Sequence, residues 1–194
     1  MSAWRASAKR NRPSGRERAP LDADTALDVA ARFLATRPRT RWELRRRLLR
    51  AGADEALIDG TLSRLAALGL ADDVAFARWW AEQRDRHSPR GRRLVEAELR
   101  QRGVPRTVIE ELRGDEIAEP AFPDEQLPQS EGERARVALD RHLRGRPLPD
   151  DRKALQRIGM FLVRRGFDPE TVRATIRAAS VDSTLDETDA SDEP

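Results

Sequence analysis

The amino-acid sequence predicts an all-α, elongated protein built from three tandem three-helix repeats. Three observations support this fold class: apolar residues recur at helical spacing, no segment alternates apolar and polar residues as a β-strand does, and one helix–glycine–helix pattern occurs three times. The predicted repeats span residues 21–71, 72–113 and 133–179. Because a unit this short buries little apolar surface by itself, we expect neighbouring units to pack together.

Apolar periodicity and capping residues define the individual helices. In the first unit, apolar side chains occur at positions i, i+3, i+4 and i+7 of one segment, namely Leu27, Ala30, Ala31 and Leu34. A second helix is predicted to begin after Thr40, because the Thr40 hydroxyl and the Glu43 carboxylate are spaced for a capping box. Asp168 before Pro169 marks another helix start, since proline is favoured at the first helical position.

The repeated pattern is centred on Gly52, Gly103 and Gly166. The aligned segments read LLRAGADEALI, LRQRGVPRTVI and LVRRGFDPETV. Each has a leucine four residues before the glycine, an apolar residue directly after it and an aliphatic residue six positions after it. Glycine is favoured at this position because a helix end commonly needs a left-handed backbone conformation. A further helix is predicted before each pair, which completes the three-helix unit.

Charge is distributed in blocks, although the formal net charge of the 194-residue chain is only +3. Residues 1–20 are rich in arginine and poor in apolar residues, so we expect a disordered basic arm. Residues 114–132 combine acidic residues with proline and are predicted to form an acidic flexible linker. Residues 180–194 carry acidic and no basic residues, which predicts a disordered acidic tail.

The composition argues against several kinds of chemistry. The chain has no cysteine, which excludes a disulfide scaffold and thiolate chemistry. Its histidines, His87 and His142, do not have metal-ligand spacing, and Asp72 and Asp73 are interpreted as a helix start. No phosphate-binding loop or nucleophile triad is recognisable, so we expect no catalytic residue, no metal site and no cofactor. No apolar run is long enough for a secretory signal or a membrane span, so we expect a cytoplasmic protein without membrane contact.

Four segments carry a family resemblance. In order along the chain they are ELRRRLLRAG at 43–52, LSRLAALGLADDVAFARWWAEQR at 62–84, ELRQRGV at 98–104 and FLVRRGFDPETV at 161–172. In this order and spacing they resemble the signature of the RecX family. The resemblance covers roughly residues 24–113 and 133–179. One departure is Phe76, which stands where the family usually has tyrosine.

The resemblance to RecX implies a function. It implies a non-enzymatic regulator that lodges in the groove of the RecA–DNA filament, limits filament extension and dampens ATP hydrolysis and strand exchange. A role in recombination, DNA repair and the SOS response would follow. The expected partner is the RecA recombinase filament, and direct contact with single-stranded or double-stranded DNA stays open. We expect a monomer and no cofactor.

Arginine-rich helix faces are the candidate contact surface. Three arginines lie on the outward side of the helix whose core face is Leu44 and Leu48, namely Arg45, Arg46 and Arg50. Three more cluster at the start of the matching helix in the second unit, namely Arg90, Arg92 and Arg93. Guanidinium groups bind phosphates and carboxylates alike, so either DNA or an acidic protein face fits. The alternative is a solvated face with local ion pairs, such as Arg92 with Glu96.

Tryptophan side chains are the second kind of candidate contact. Phe76 and Trp80 are four residues apart on one helix and are interpreted as core. Trp79 is therefore the better candidate for an exposed contact, because a large rigid ring is typical of interface hot spots.

Two other function classes fit the same helical pattern. The first is an autonomous DNA-binding regulator that uses the helix–glycine–helix pairs like a helix-turn-helix. Against it, the helices after the glycine turns carry acidic residues and few amide side chains that read bases. The second is a helical adaptor without a nucleic-acid role. Salt sensitivity of binding separates the adaptor from the other function classes, because phosphate contacts release counterions.

Overall fold

A computed structural model describes residues 21–114, 128 and 130–189 of the chain. Over these residues the chain forms nine α-helices and no β-strand. The helices are α1 Ala23–Leu34, α2 Arg41–Ala51, α3 Glu55–Ala67, α4 Asp73–His87, α5 Arg92–Gln101, α6 Arg106–Gly114, α7 Glu131–Leu143, α8 Arg152–Arg164 and α9 Pro169–Asp189. The predicted all-helical fold class is confirmed.

The helices group into three units, α1–α3, α4–α6 and α7–α9, and most helix packing lies within a unit. Each unit has its own apolar core. The leucine four residues before each repeat glycine is fully buried, and these leucines are Leu48, Leu99 and Leu162. The residues directly after the glycines and the aliphatic residues six positions after them are buried as well. The repeat pattern therefore encodes the core of each unit.

The three repeat glycines end the second helix of each unit in the same way. Gly52, Gly103 and Gly166 have φ angles of +98°, +76° and +90°. In each unit the N–H of the residue after the glycine donates to the carbonyl of the buried leucine, at 3.2, 3.1 and 3.3 Å. Such a bond satisfies a carbonyl that would otherwise lack a hydrogen-bond partner at the helix end. The predicted glycine-capped turns are confirmed.

Side-chain caps begin most of the helices. Thr40 and Glu43 form the predicted capping box, because the Glu43 N–H donates to the Thr40 hydroxyl at 3.0 Å and the Thr40 N–H donates to the Glu43 carboxylate at 3.3 Å. Asp168 accepts from the backbone N–H of Thr171 at 2.9 Å, at the predicted start of α9. Asp72 accepts from the backbone N–H groups of Val74 and Ala75 at the start of α4.

The second helix of one unit docks with its N-terminus on the next unit. At the first junction the Thr40 hydroxyl donates to the carbonyl of Arg102 at 2.7 Å. The N–H of Arg41 donates to the carboxylate of Asp73 at 2.9 Å, so the first residue of α4 caps α2. Trp42 lies directly against Gly103, where an added Cβ would be 2.4 Å from the indole Cγ.

The second junction repeats this arrangement at equivalent positions. The N–H of Gly91 donates to the carbonyl of Arg165 at 2.9 Å, and the N–H of Arg92 donates to the carboxylate of Glu131 at 3.0 Å. Leu94 lies against Gly166, where an added Cβ would be 2.5 Å from the leucine Cβ. Units one and two, and units two and three, are therefore joined by the same contact scheme.

The segment boundaries differ in part from those expected. Helix α9 continues to Asp189, beyond residue 180 where the sequence predicts the acidic tail to begin; residues 180–189 contain no proline or glycine that would end the helix. Helix α7 begins at Glu131, just inside the predicted linker. The predictions for the basic arm, for most of the linker and for the last residues of the tail lie outside the described residues.

Candidate interaction surfaces

Helix α2 presents the first group of predicted arginines. Arg45 pairs with two carboxylates of α3, those of Glu55 and of Asp59, the latter at 2.9 Å. Arg46 and Arg50 are exposed. The Arg46 guanidinium lies 4.4 Å from the centre of the Trp42 ring, a cation–π contact. Arg46 and Arg50 are therefore available to a partner, whereas Arg45 is engaged in binding α3.

Arg90 differs from the other predicted arginines of the second unit. Its guanidinium pairs with the carboxylate of Glu98 and is only partly exposed. This partner lies outside the i, i+4 spacing that would pair Arg92 with Glu96 on one helix. Since α5 begins at Arg92, Arg90 lies in the preceding turn, from which its side chain reaches Glu98. Arg90 is therefore already paired within its own unit.

Arg92 and Arg93 are exposed and keep their guanidinium groups open to solvent. Among the described residues neither guanidinium forms an ion pair, and the predicted partner Glu96 is buried and pairs with Arg100 at 3.8 Å. Arg92 and Arg93 line a cleft of about 440 Å³ at the second junction. The other lining residues are Glu131, Asp168, Pro169, Glu170 and Arg173. The cleft therefore carries charges of both signs.

The tryptophan predicted to be exposed is not the most exposed one. Trp79 is half-buried, with its ring centroid 5.7 Å from that of Phe76 and 6.0 Å from that of Trp80, at the edge of the second core. Phe76 and Trp80 are buried, as predicted. Trp42 is 40% exposed. The candidate aromatic contact therefore moves from Trp79 to Trp42.

A network of charged groups inside the second unit was not predicted. The Glu98 carboxylate accepts from the indole N–H of Trp80 and from Nε of Arg84, each at 2.8 Å, in addition to its pair with Arg90. Arg102 lies 3.8 Å from the centre of the Trp80 ring. Burial lowers the pKa of Arg84, Arg90 and Arg102 from the ordinary arginine value.

The arginine before the glycine turn links neighbouring units. Arg102 donates to the carboxylate of Glu43 at 2.9 Å, which ties the second unit to the first. At the second junction, Arg165 donates to the Ser88 hydroxyl and to the carbonyl of Pro89, each at 3.1 Å. A sequence signal for these contacts exists, because arginine directly precedes the glycine in the second and third repeats and not in the first.

An ion pair between Asp85 and Arg134 also crosses the second junction. The nitrogen–oxygen distance is 3.0 Å and Asp85 is only 5% exposed. Burial raises the pKa of the Asp85 carboxyl to about 6, and the nearby Arg134 guanidinium opposes part of that rise. The side chain of Arg141 adds a hydrogen bond of 3.0 Å to the carbonyl of Arg86.

The remaining candidates for metal or acid–base chemistry have structural contacts. His142 stacks on Phe161 with ring centroids 4.0 Å apart. Asp73 accepts the bond from Arg41 across the first junction, and burial raises the pKa of its carboxyl. Over the described residues, no three His, Asp or Glu side chains are grouped so that they could hold a metal ion. None of the helices in that part of the chain is long and apolar enough to cross a lipid bilayer.

Comparison with known protein families agrees with the three-unit division. Three family models match in chain order, described as the first, second and third three-helix domains of RecX, over residues 26–65, 72–112 and 129–176. The repeated fold and these matches define the class of the protein as a tandem array of three-helix domains of the RecX type.

Individual relatives match most of the chain. The regulatory protein RecX of Chlorobaculum tepidum is 37% identical over 154 residues, covering 79% of this chain and 87% of the relative. The regulatory protein RecX of Halorhodospira halophila is 38% identical over 159 residues, covering 82% and 91%. The chain belongs to the RecX family.

A solved structure shows the same fold. The crystal structure of RecX from Lactobacillus salivarius superposes with a TM-score of 0.66 at 16% identity, over 82% of this chain and 97% of that chain. A second crystal structure, described as regulatory protein RecX, gives a TM-score of 0.59 at 20% identity, over 79% and 70%. At these identities the likeness concerns the fold.

Proposed function

We propose that this protein binds the RecA filament on DNA and inhibits its ATP hydrolysis, growth and strand exchange. The family name of the relatives, a regulatory protein, supports a regulatory role. The observation that carries the proposal is the pair of open arginine groups on α2 and α5, held in fixed register by the first junction. An array whose backbone is fixed in this way presents its cations to an extended anionic partner at a lower ordering cost than a flexible segment would.

The exposure and ion pairs of the predicted arginines decide which of them are proposed to contact the partner. Arg46 and Arg50 on α2 and Arg92 and Arg93 on α5 are proposed to touch the partner directly, because their guanidiniums are exposed. Arg45 and Arg90 are proposed to orient these surfaces through their own ion pairs. Trp79 is proposed to support the neighbouring core rather than to make a direct contact.

The protein is proposed to act as a monomer, without enzymatic activity and without a cofactor. It acts in the cytoplasm, where the proposed partner is bound to the chromosome, and it does not need a membrane. The open arginines also suit the phosphates of DNA, so direct contact with single-stranded or double-stranded DNA within the filament is part of the proposal.

The helix-turn-helix alternative receives less support from helices α3 and α6. Glu55 and Asp59 of α3 are largely exposed and bind Arg45, and Glu110 of α6 is half-exposed and binds Arg106. A helix in the major groove would bring these carboxylates towards phosphates, which is unfavourable.

Direct binding tests the proposal. Labelled protein is titrated with RecA assembled on single-stranded DNA, and in parallel with the same DNA without RecA, at several salt concentrations. We expect tight binding to the filament and much weaker, strongly salt-dependent binding to bare DNA. Equal affinity for bare DNA and for the filament would instead support the autonomous DNA-binding regulator.

A further inference from the structure

The second unit has a neighbour on each side, and the carboxylate of Glu98 lies between its two contact sites. Glu98 accepts from the indole N–H of Trp80 and from Nε of Arg84, each at 2.8 Å. Its other carboxylate oxygen pairs with Arg90. The Glu98 side chain is only 11% exposed, so these contacts are largely shielded from water. Charge-assisted hydrogen bonds are strong and directional in such surroundings, so the position of each donor depends on that of Glu98.

Towards the first unit, these contacts continue through one guanidinium group. The guanidinium carbon of Arg102 lies 3.8 Å from the centre of the Trp80 ring. The same guanidinium donates to the carboxylate of Glu43 at 2.9 Å, and the carbonyl of Arg102 accepts from the Thr40 hydroxyl at 2.7 Å. Arg102 therefore contacts the first unit and a direct partner of Glu98 at the same time.

Towards the third unit, the contacts continue through the turn before α5. Arg90 stands in this turn between Pro89 and Gly91. The carbonyl of Pro89 accepts from the Arg165 guanidinium at 3.1 Å, and the N–H of Gly91 donates to the carbonyl of Arg165 at 2.9 Å. The residues on both sides of Arg90 are therefore contacts of the second junction, and Glu98 holds their turn from within the second unit.

The repeat itself does not require a carboxylate at this position. Five residues before the repeat glycine, the first unit has Arg47 and the third unit has Phe161, where the second unit has Glu98. All three units nevertheless share the buried leucine and the glycine turn. A group that served the fold of a single unit would recur in all three, whereas a group that connects two neighbours is needed in the middle unit.

We infer that Glu98 is a positioning residue that couples the two junctions, so that a disturbance of the contacts with the first unit reaches the contacts with the third. The coupling runs through adjoining contacts of Glu43, Arg102, Trp80, Glu98, Arg90 and the turn that binds Arg165. Contiguous networks of packed and hydrogen-bonded groups carry coupling of this kind. The coupling is reciprocal, so a change at the second junction affects the first by the same factor. The inference does not depend on which partner the protein binds.

Amide hydrogen exchange of the isotope-labelled full chain, followed by NMR, tests the coupling, because the exchange rate of a bonded N–H reports the free energy of local opening. The perturbation is Glu43→Gln, which removes the charge at one end of the network and keeps an acceptor for the cap of α2. The reporter is the Gly91 N–H at the second junction, and the amide of Leu139 in the third unit is the reference for overall stability. The matched control is Asp73→Asn, which removes a carboxylate charge from the first junction outside the network.

Glu43→Gln should speed exchange of the Gly91 N–H at least about fivefold, a factor within the range of coupling energies measured for residues of one network. Asp73→Asn should change this exchange rate by less than about twofold, as expected of sites without shared partners. The exchange rate of the Leu139 amide should stay unchanged in both variants.

Repeating Glu43→Gln in a Glu98→Gln chain separates coupling from a merely structural role. Glu98→Gln alone should speed exchange of the Gly91 N–H, because the turn loses its ion pair, but the added Glu43→Gln should then have no further effect. Arg90→Gln interrupts the same network at a partly exposed side chain and gives the same comparison if Glu98→Gln does not fold.

Three results overturn the inference. The first is an unchanged exchange rate of the Gly91 N–H in Glu43→Gln, or a change that the Leu139 amide shares. The second is an equal acceleration by Asp73→Asn. The third is an effect of Glu43→Gln that persists undiminished in the Glu98→Gln or Arg90→Gln chain.

Discussion

Replacing Gly103 by alanine should cost more stability than replacing Gly52, although both glycines hold the same position in the repeat. Both have positive φ, so either alanine suffers the left-handed strain of about 1–2 kcal/mol. At Gly52 the new Cβ would meet no atom within 4 Å, and strain is the whole cost. At Gly103 the new Cβ would lie 2.4 Å from Cγ of Trp42, so the indole must leave the first junction. Losing this partly buried packing adds about 1–3 kcal/mol to the cost.

Urea unfolding followed by circular dichroism measures the two free energies of unfolding. We expect Gly103→Ala to be less stable than Gly52→Ala by at least about 1 kcal/mol, and Gly52→Ala to retain the contacts of the first junction. Gly166→Ala is a second test, because its Cβ would lie 2.5 Å from Leu94. Equal losses for the Gly52 and Gly103 variants would refute the view that the glycine turn is a docking surface as well as a helix cap.

Three other predictions concern the charged groups. The double reversal Arg92→Glu/Arg93→Glu should leave the melting temperature nearly unchanged and weaken filament binding at least tenfold; a folded double variant with full binding would exclude this surface. Arg90→Glu should instead destabilise the fold by about 2 kcal/mol or more in urea unfolding, because it places a second carboxylate beside Glu98; unchanged stability would contradict the assigned pair. As the pH rises from 4.5 to 7, Asp85→Asn should become more stable relative to the parent protein by about 2 kcal/mol. The folded-state pKa of Asp85, about 6, lies above the ordinary value of an aspartate, so ionisation of this carboxyl lowers the stability of the parent protein over this range. Asparagine does not ionise and avoids this loss. A relative loss over that range would show that the ion pair outweighs burial.

Local features of the fold were predictable because they depend on near neighbours in sequence. The capping box of Thr40 and Glu43 needs only residues three positions apart. The repeat glycines could be placed because each follows a helical apolar pattern and needs a left-handed backbone. The buried Leu48, Leu99 and Leu162 follow from the same alignment.

Contacts that depend on the tertiary arrangement were not predictable in the same way. Arg90 reaches Glu98 because it stands in a turn outside α5, where helical spacing rules do not apply. Trp79 is covered by aromatic side chains of its own unit. Trp42 instead packs on the glycine turn of the next unit and stays 40% exposed. The repeat alignment alone does not reveal which face of a unit meets its neighbour. The sequence therefore predicts Asp73 only as a helix-start residue, whereas the structure also places it in the first junction.

The candidate site was predictable in part. Charge pattern identified the exposed Arg46, Arg50, Arg92 and Arg93, because surface arginines on an amphipathic helix face away from its apolar side. It did not separate them from Arg45, whose partners lie on another helix. To tell an unpaired guanidinium from a paired one, the carboxylates of α3 must be placed next to Arg45 and the carboxylate of Glu98 on α5 next to Arg90. Sequence spacing does not supply these positions.

The most direct test of the proposed regulatory role is the ATP hydrolysis rate of RecA on single-stranded DNA, measured over a titration of this protein. We expect the rate to fall with increasing protein and to reach a minimum once the filament is saturated with it. The Arg92→Glu/Arg93→Glu variant, with its helicity verified, should need at least tenfold more protein for the same effect. A hydrolysis rate that does not change even with excess folded protein would contradict the account.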